Sequence, residues 1–141
     1  MVKELRIVIP SSTEFVGPIV SFLHALFQNK GIEEKIVANV VTSVIEAVAN
    51  ALKHGNHADA AKKIAIALLV DRNTLAIEVQ DEGAGFDATN LPDPLAPENL
   101  LAPCGRGIFL IKSYMDQVAF RFEPKGTTLS MQKVFAHNIE Q

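Results

Sequence analysis

The segment from residue 64 to residue 79 constrains the fold of this chain more than any other part of the sequence. Two apolar runs, 64–70 and 75–79, flank a short turn at 71–73 that is rich in turn-forming residues. The second run alternates apolar and polar residues, which is the pattern of a half-buried β-strand. Two such strands joined by a short turn predict an antiparallel hairpin, so the chain builds a sheet with one face to cover.

The other segments alternate between strand and helix patterns. In chain order they are a strand at 5–9 that ends at Pro10, a helix at 15–28, a second helix that begins near Glu33, a third helix at 107–116, and a last hairpin of strands 118–122 and 127–135. The order β-α-α-β-β-α-β-β predicts an α+β fold, a two-layer sandwich with three helices on one face of a mostly antiparallel, mixed sheet. We expect a single domain over residues 1–141, an ordinary length for one domain.

Composition excludes several classes of protein without choosing a function. A hydrophobic fraction of 48% fits a globular core, and a formal charge of -3 gives no reason to expect nucleic acid or an anionic membrane as partner. We find no signal-peptide pattern and no stretch that approaches the roughly 20 apolar residues of a membrane helix. The single cysteine, Cys104, fits a reducing compartment. A cytoplasmic domain is the prediction.

The second helix has a polar stripe on an otherwise apolar surface. A step of about 100° per residue gathers its large apolar side chains on one side. These are Val37, Val41, Val44, Val48 and Leu52. Glu46 and Asn50 fall on the opposite side, one turn apart, and the cluster Lys53, His54, Gly55 and Asn56 follows. Asn50 offers a neutral oxygen that suits Mg²⁺, and Glu46 could accept a proton from a hydroxyl or water beside a γ-phosphate. A stripe that simply faces water is the alternative.

Three further clusters contain glycine. They are Asp81, Gly83, Gly85 and Phe86 after a strand, Gly105, Arg106, Gly107 and Ile108 before a helix, and Gly126, Thr127 and Thr128 at the start of the last strand. A carboxylate suits an exocyclic amine such as that of adenine, glycine lets backbone approach a ligand, and a helix N-terminus attracts phosphate. Each cluster also fits a structural role as a turn, a helix start or a strand start. Alternation does not say whether Thr127 or Thr128 faces a ligand.

The stretch from residue 87 to residue 103 joins two of these clusters and is rich in proline. Its prolines are Pro92, Pro94, Pro97 and Pro103. A long proline-rich connection within a compact domain is uncommon and usually forms a functional lid or a binding loop.

Together the clusters resemble the motifs of the GHKL ATP-binding fold, which gyrase, Hsp90, MutL and histidine kinases share. More closely, the chain resembles the anti-sigma factor serine/threonine protein kinases of bacterial partner-switching systems. Four matches carry this resemblance: Glu46, Asn50 and His54–Gly55 in the N-box, Asp81–Phe86 in the first glycine box, Gly105–Ile108 in the second, and Gly126–Thr128 in the terminal strand motif. The similarity spans nearly the whole chain, including the proline-rich approach to the second box.

The resemblance implies ATP and Mg²⁺ as cofactors and phosphorylation of a serine or threonine on a STAS-domain anti-anti-sigma protein. It also implies sequestration of a sigma factor or another regulated protein, and a possible homodimer. By position, Glu46 would be the general base, Asn50 the Mg²⁺ ligand, and Asp81 the residue that reads adenine. The other matched residues would line the nucleotide: His54, Gly83, Gly85, Phe86, Gly105, Arg106, Gly107, Ile108 and Thr127.

Two other functions fit the same motifs. One is a binding regulator that uses ATP to set its shape and sequesters a partner without chemistry, and the other is a GHKL ATPase in which Glu46 activates water. The intact Glu46 favours chemistry over pure binding. The relatives that hydrolyse ATP couple this fold to a transducer domain, for which 141 residues leave no room.

Overall fold

The computed structural model describes residues 2–83 and 106–140 of the chain. Its strands are β1 (Lys3–Pro10), β2 (Lys63–Asp71), β3 (Thr74–Gln80), β4 (Gln117–Glu123) and β5 (Gly126–Val134). Its helices are α1 (Val16–Phe27), α2 (Glu34–Asn50) and α3 (Arg106–Tyr114). A 3₁₀ turn at Thr13–Phe15 precedes α1, and a π-helical turn at Ala51–Gly55 continues α2.

The five strands form one sheet in the order β1-β2-β3-β5-β4. All four pairings among these strands are antiparallel, so this sheet is more regular than the expected mixed sheet. The predicted hairpin is confirmed as β2 and β3, in which Leu68 pairs with Ile77 and Asp71 with Thr74. The α+β fold is therefore confirmed.

Alternation along the central strands gives the sheet one apolar face. The residues that share this face are Ile64, Ile66, Leu68, Leu75, Ile77, Val79, Leu129 and Met131, each at most 3% exposed. The helices cover the face with buried side chains such as Leu23 of α1, Val44 of α2 and Ile111 of α3. Burial of a side chain of this size contributes about 1.5–3 kcal/mol, so this layer is the main source of stability and holds the helices in place.

The π-helical turn redirects the chain at the end of α2. The N–H of Asn56 donates a hydrogen bond to the carbonyl oxygen of Ala51 (2.8 Å), which leaves one residue more in the last turn than an α-helix has. Turns of this kind are rare in proteins, and those that occur frequently lie at functional sites. Here the wider turn directs Gly55 and Asn56 out of the helix, toward the start of β2 and the end of β3.

One expectation about membranes needs correction. Among the described residues, the helical stretch Glu34–Gly55 has 22 residues and a mean hydropathy of 1.4, which is long and apolar enough for a membrane span. Its apolar side nevertheless lies in the core, where Val40, Val44 and Val48 are at most 1% exposed. The length and the hydropathy of this helix are those of a core helix, which packs between α1, α3 and the sheet.

Candidate nucleotide-binding site

Asp81 directly follows β3 and is only 4% exposed. Its Oδ1 accepts hydrogen bonds from the backbone N–H groups of Gly83 (2.9 Å) and Thr127 (3.0 Å). Both of these bonds go to Oδ1, and no described residue donates a hydrogen bond to Oδ2. A nearly buried carboxylate is costly unless its oxygens are used, so Oδ2 is available to an N–H group of a ligand.

Three glycines from three different motifs surround this carboxylate. A Cβ on Gly55 would clash with the Asp81 carboxylate, and one on Gly126 would clash with the Asp81 main-chain carbonyl. A Cβ on Gly83 would lie 2.5 Å from the carbonyl oxygen of Gly55, so these glycines also pack on one another. The end of the N-box, the first glycine box and the terminal strand motif therefore meet at Asp81.

Thr127 and Thr128 lie on opposite faces of the sheet. Thr127 pairs with Phe122 and shares the helix-covered face with Leu129. Thr128 pairs with Arg121 and Gln80 on the other face. Thr127 is thus the threonine on the side of the Asp81 carboxylate, and its backbone also accepts a hydrogen bond from the N–H of Asp81 (3.0 Å).

Glu46 and Gly107 bring the N-box and the second glycine box together. A Cβ on Gly107 would lie only 2.6 Å from Oε2 of Glu46, so the start of α3 packs directly against this carboxylate. Glu46 is half-buried, and its side of α2 does not simply face water. Because the first N–H groups of a helix have no partners within it, the N-terminus of α3 beside Glu46 suits a phosphate group.

The other matched residues lie at varied positions. Asn50 is half-buried at the end of α2, one turn after Glu46, whereas His54 and Arg106 are exposed. Ile108 is 5% exposed and its side chain belongs to the core, so only its backbone can contribute to a ligand site. Gly85, Phe86 and Gly105 lie outside the described residues, as does the expected lid at 87–103.

Asn56 is a residue of this region to which sequence reasoning gave no role. It is fully buried, and its Nδ2 donates hydrogen bonds to Oγ of Ser11 (2.7 Å) and to the carbonyl oxygen of Lys63 (3.0 Å). Its Oδ1 accepts a hydrogen bond from the N–H of Glu82 (2.8 Å), which is the neighbour of Asp81. An amide placed between a glycine and a histidine gave no sign of this network, because its partners are distant in sequence.

The donor groups fit a nucleotide with Mg²⁺. The open oxygen of Asp81 complements an amine, and the start of α3 complements phosphate. The described residues contain no group of three His, Cys, Asp or Glu side chains that could hold a metal. Mg²⁺ often takes only one or two protein oxygens when phosphates supply further ligands, and the side-chain oxygen of Asn50 fits that kind of site.

This chain belongs to the family of histidine kinase-like ATPase domains, which it matches over residues 9–133. It is 34% identical to the serine-protein kinase RsbW of Staphylococcus aureus, across 92% of this chain and 84% of that relative. The predicted resemblance is therefore confirmed.

Solved structures agree with the fold. The RsbU and RsbW domains of a Mycobacterium tuberculosis protein match with a TM-score of 0.69 at 17% identity, over 96% of this chain and 33% of that one. The histidine kinase domain of a blue-light activated histidine kinase from Erythrobacter litoralis matches with a TM-score of 0.58 at 17% identity, over 91% of this chain and 62% of that one.

Proposed function

We propose that this chain is an ATP-dependent serine/threonine protein kinase and anti-sigma factor of a bacterial partner-switching system. The observation that carries the proposal is that the sequence motifs converge on two carboxylates. One is Asp81, which three glycines surround, and the other is Glu46 of α2, which packs against the start of α3. The similarity to RsbW, a serine-protein kinase, extends over nearly the whole chain and supports the same function.

Adenine is the part of ATP that Asp81 suits. Its Oδ1 is occupied by two backbone N–H groups, so Oδ2 is left to accept a hydrogen bond from the exocyclic amine. The absence of a Cβ at Gly55 makes room for the Asp81 carboxylate itself, and the absence of one at Gly83 lets this residue pack against the carbonyl oxygen of Gly55. Thr127 lies on the same side of the sheet and assists there.

The phosphates and Mg²⁺ belong at the other carboxylate. Arg106 and Gly107 would line the phosphate side, where the N–H groups at the start of α3 favour negative charge. The sequence resemblance assigns Gly105 to the same side. Asn50 would hold Mg²⁺, which would supply positive charge beside the transferred phosphate. Glu46 then accepts the proton of the attacking hydroxyl, a role that requires a carboxylate within hydrogen-bond reach of the nucleophile.

The proposed substrate is a serine or threonine of a STAS-domain anti-anti-sigma protein, and the sequestered partner is a sigma factor or another regulated protein. Nucleic acid and membrane are not direct partners in this proposal. The protein acts in the cytoplasm, and a homodimer is a further part of the proposal.

The first test is transfer of ³²P from γ-labelled ATP, with Mg²⁺, to the STAS-domain protein encoded nearest to this chain. We expect label on a serine or threonine with the wild type, and a loss on the order of 10²-fold or more with Glu46→Gln, because a positioned general base contributes about that much. ATP affinity should be retained in this variant. Glu34→Gln, an exposed change at the start of the same helix, is the matched control and should transfer label normally.

Each other outcome has a defined meaning. ATP binding without transfer by the wild type would favour the binding regulator, and release of inorganic phosphate without the STAS-domain protein would favour the ATPase. Failure of the wild type to bind ATP would refute the proposed site.

A further inference from the structure

Asn56 is a buried amide that links three separate segments of the chain. It is 0% exposed, and its partners are Ser11 after β1, Lys63 at the start of β2, and Glu82 after β3. Ser11 is itself held by a hydrogen bond from its Oγ to the carbonyl oxygen of Lys62 (2.8 Å). Every hydrogen-bonding atom of the Asn56 amide thus has a partner in a network at the base of the candidate adenine site.

The bond to Glu82 connects this network to Asp81. Residues 81–83 form the turn that leaves β3, and the N–H of Glu82 donates to Oδ1 of Asn56 while the N–H of Gly83 donates to Oδ1 of Asp81. The Glu82 carboxylate in turn accepts a hydrogen bond from the N–H of Lys63 (2.8 Å). Asn56 and Glu82 therefore fix the turn from both sides and hold it against the start of β2.

We propose that Asn56 is a positioning residue for recognition of the nucleobase: through the N–H of Glu82 it holds the Asp81 turn so that Oδ2 meets the 6-amino group of a purine. This inference rests on the proposed function, in which adenine binds at Asp81. Asn56 does not touch the ligand in this role, since the Asp81 turn stands between them.

Loss of the Asn56 side chain should weaken recognition of the base and should leave binding of the phosphates unchanged. Without the Asn56 side chain, the N–H of Glu82 loses its acceptor and the turn gains freedom, which weakens a hydrogen bond that depends on the direction of Oδ2. Glu46 and Gly107 share no hydrogen bond with this network among the described residues. Binding of the phosphates and the transfer step should therefore be spared.

The test compares ATP with purine riboside triphosphate, which lacks only the 6-amino group. Dissociation constants of both nucleotides are measured calorimetrically for the wild type and for Asn56→Ala. We expect the wild type to prefer ATP by roughly tenfold or more, as for a hydrogen bond to a charged group, and the variant to lose most of that preference. Affinity for purine riboside triphosphate and kcat at saturating ATP should change by less than about twofold, because neither depends on the 6-amino group.

Ser11→Ala is the matched control, because it removes another buried member of the network but leaves the bond between Asn56 and Glu82 in place. It should keep the preference for ATP. An equal loss of preference in this control, or an unchanged preference in a folded Asn56→Ala protein, would overturn the inference.

Two further results keep the inference separate from folding and from the proposed function. Amide hydrogen exchange of the wild type should show a protected N–H at Glu82, although this residue is exposed, and rapid exchange there would also overturn the inference. A wild-type protein that binds neither nucleotide would instead refute the proposed function, and the inference with it.

Discussion

Gly107 leaves room for the Glu46 carboxylate only because it has no side chain. The added methyl group of Gly107→Ala would lie 2.6 Å from Oε2 of Glu46, which is the flexible end of a side chain and can move aside. We therefore expect the variant to fold but to transfer phosphate about 10²-fold more slowly, since misplacement of a catalytic group by about 1 Å costs that much. Single-turnover transfer at saturating ATP measures this directly.

Gly17→Ala is the control for the change of glycine to alanine in a helix. Gly17 lies in α1, and a Cβ there meets no atom within 4 Å. This variant should transfer phosphate at the normal rate, because the added methyl group meets no atom beyond its chain neighbours and lies on a different helix from Gly107. A normal rate in Gly107→Ala would show that the contact between Gly107 and Glu46 does not matter for catalysis.

Individual residues were predictable from the sequence where their placement follows from local geometry. Helical periodicity placed Glu46 and Asn50 away from the core side of α2, and strand alternation placed Asp81 at the end of a strand. Asn56 could not be assigned in this way, because its hydrogen bonds join residues 45, 7 and 26 positions away. The closeness of Gly107 to Glu46 likewise depends on how two helices pack, and no local pattern encodes it.

The segment after β5 is tied to the hairpin of β2 and β3 by main-chain contacts, the side-chain amide of Asn73 and one carboxylate. The N–H groups of Phe135 and Ile139 donate to the carbonyl oxygens of Asn73 and Arg72, both at 2.7 Å. The Glu140 carboxylate accepts a hydrogen bond from the N–H of Arg72 (2.8 Å), and this bond lowers the pKa of Glu140 below its ordinary value of 4.5. The tail thereby covers the end of the hairpin, with Ile139 buried beneath it.

The lowered pKa of Glu140 predicts a specific acid sensitivity. The ionised form is favoured in the folded protein, so its stabilisation is present above the ordinary pKa and is lost as the pH falls through the lowered pKa of the folded state. Glu140→Gln should remove this part of the pH dependence. Chemical denaturation across the acid range measures it, with the exposed Glu14→Gln as control. Identical pH profiles for wild type and Glu140→Gln would contradict the prediction.

Secondary structure was largely predictable because each element has one apolar face. The helix expected at 15–28 is found at Val16–Phe27, and the last strand expected at 127–135 is found at Gly126–Val134. The π-helical turn after α2 was not predicted, because helix propensity does not encode it. The turn goes with the hydrogen bonds that hold Asn56 to distant segments of the chain. The strand order likewise depends on which edges meet in the folded chain.

At the scale of the whole molecule, ATP binding should stabilise the folded chain. A ligand at about 100 times its dissociation constant adds about 2.7 kcal/mol to the free energy of unfolding, which for a domain of this size raises Tm by on the order of 5–10 °C. Asp81→Asn should abolish most of the shift. The two N–H groups at Oδ1 hold the amide oxygen there, so the NH₂ group takes the place of Oδ2 and opposes the amine of adenine.

Differential scanning calorimetry with and without ATP and Mg²⁺ measures this shift. Asp71→Asn is the control, because it changes the charge by the same amount at an exposed residue at the end of β2, far from the site. It should show the wild-type shift. A full shift in Asp81→Asn would show that the nucleotide does not use this carboxylate.

The anchoring of Asp81 also bears on which inherited changes the site can tolerate. Both hydrogen bonds at its Oδ1 come from the main chain, at positions 83 and 127, and are independent of the side chain at position 127. Substitution of that side chain leaves the anchor intact, whereas proline, which has no N–H, removes it. The side chain at position 127 can therefore change in evolution while the carboxylate keeps its direction, because the anchor depends on the path of the backbone.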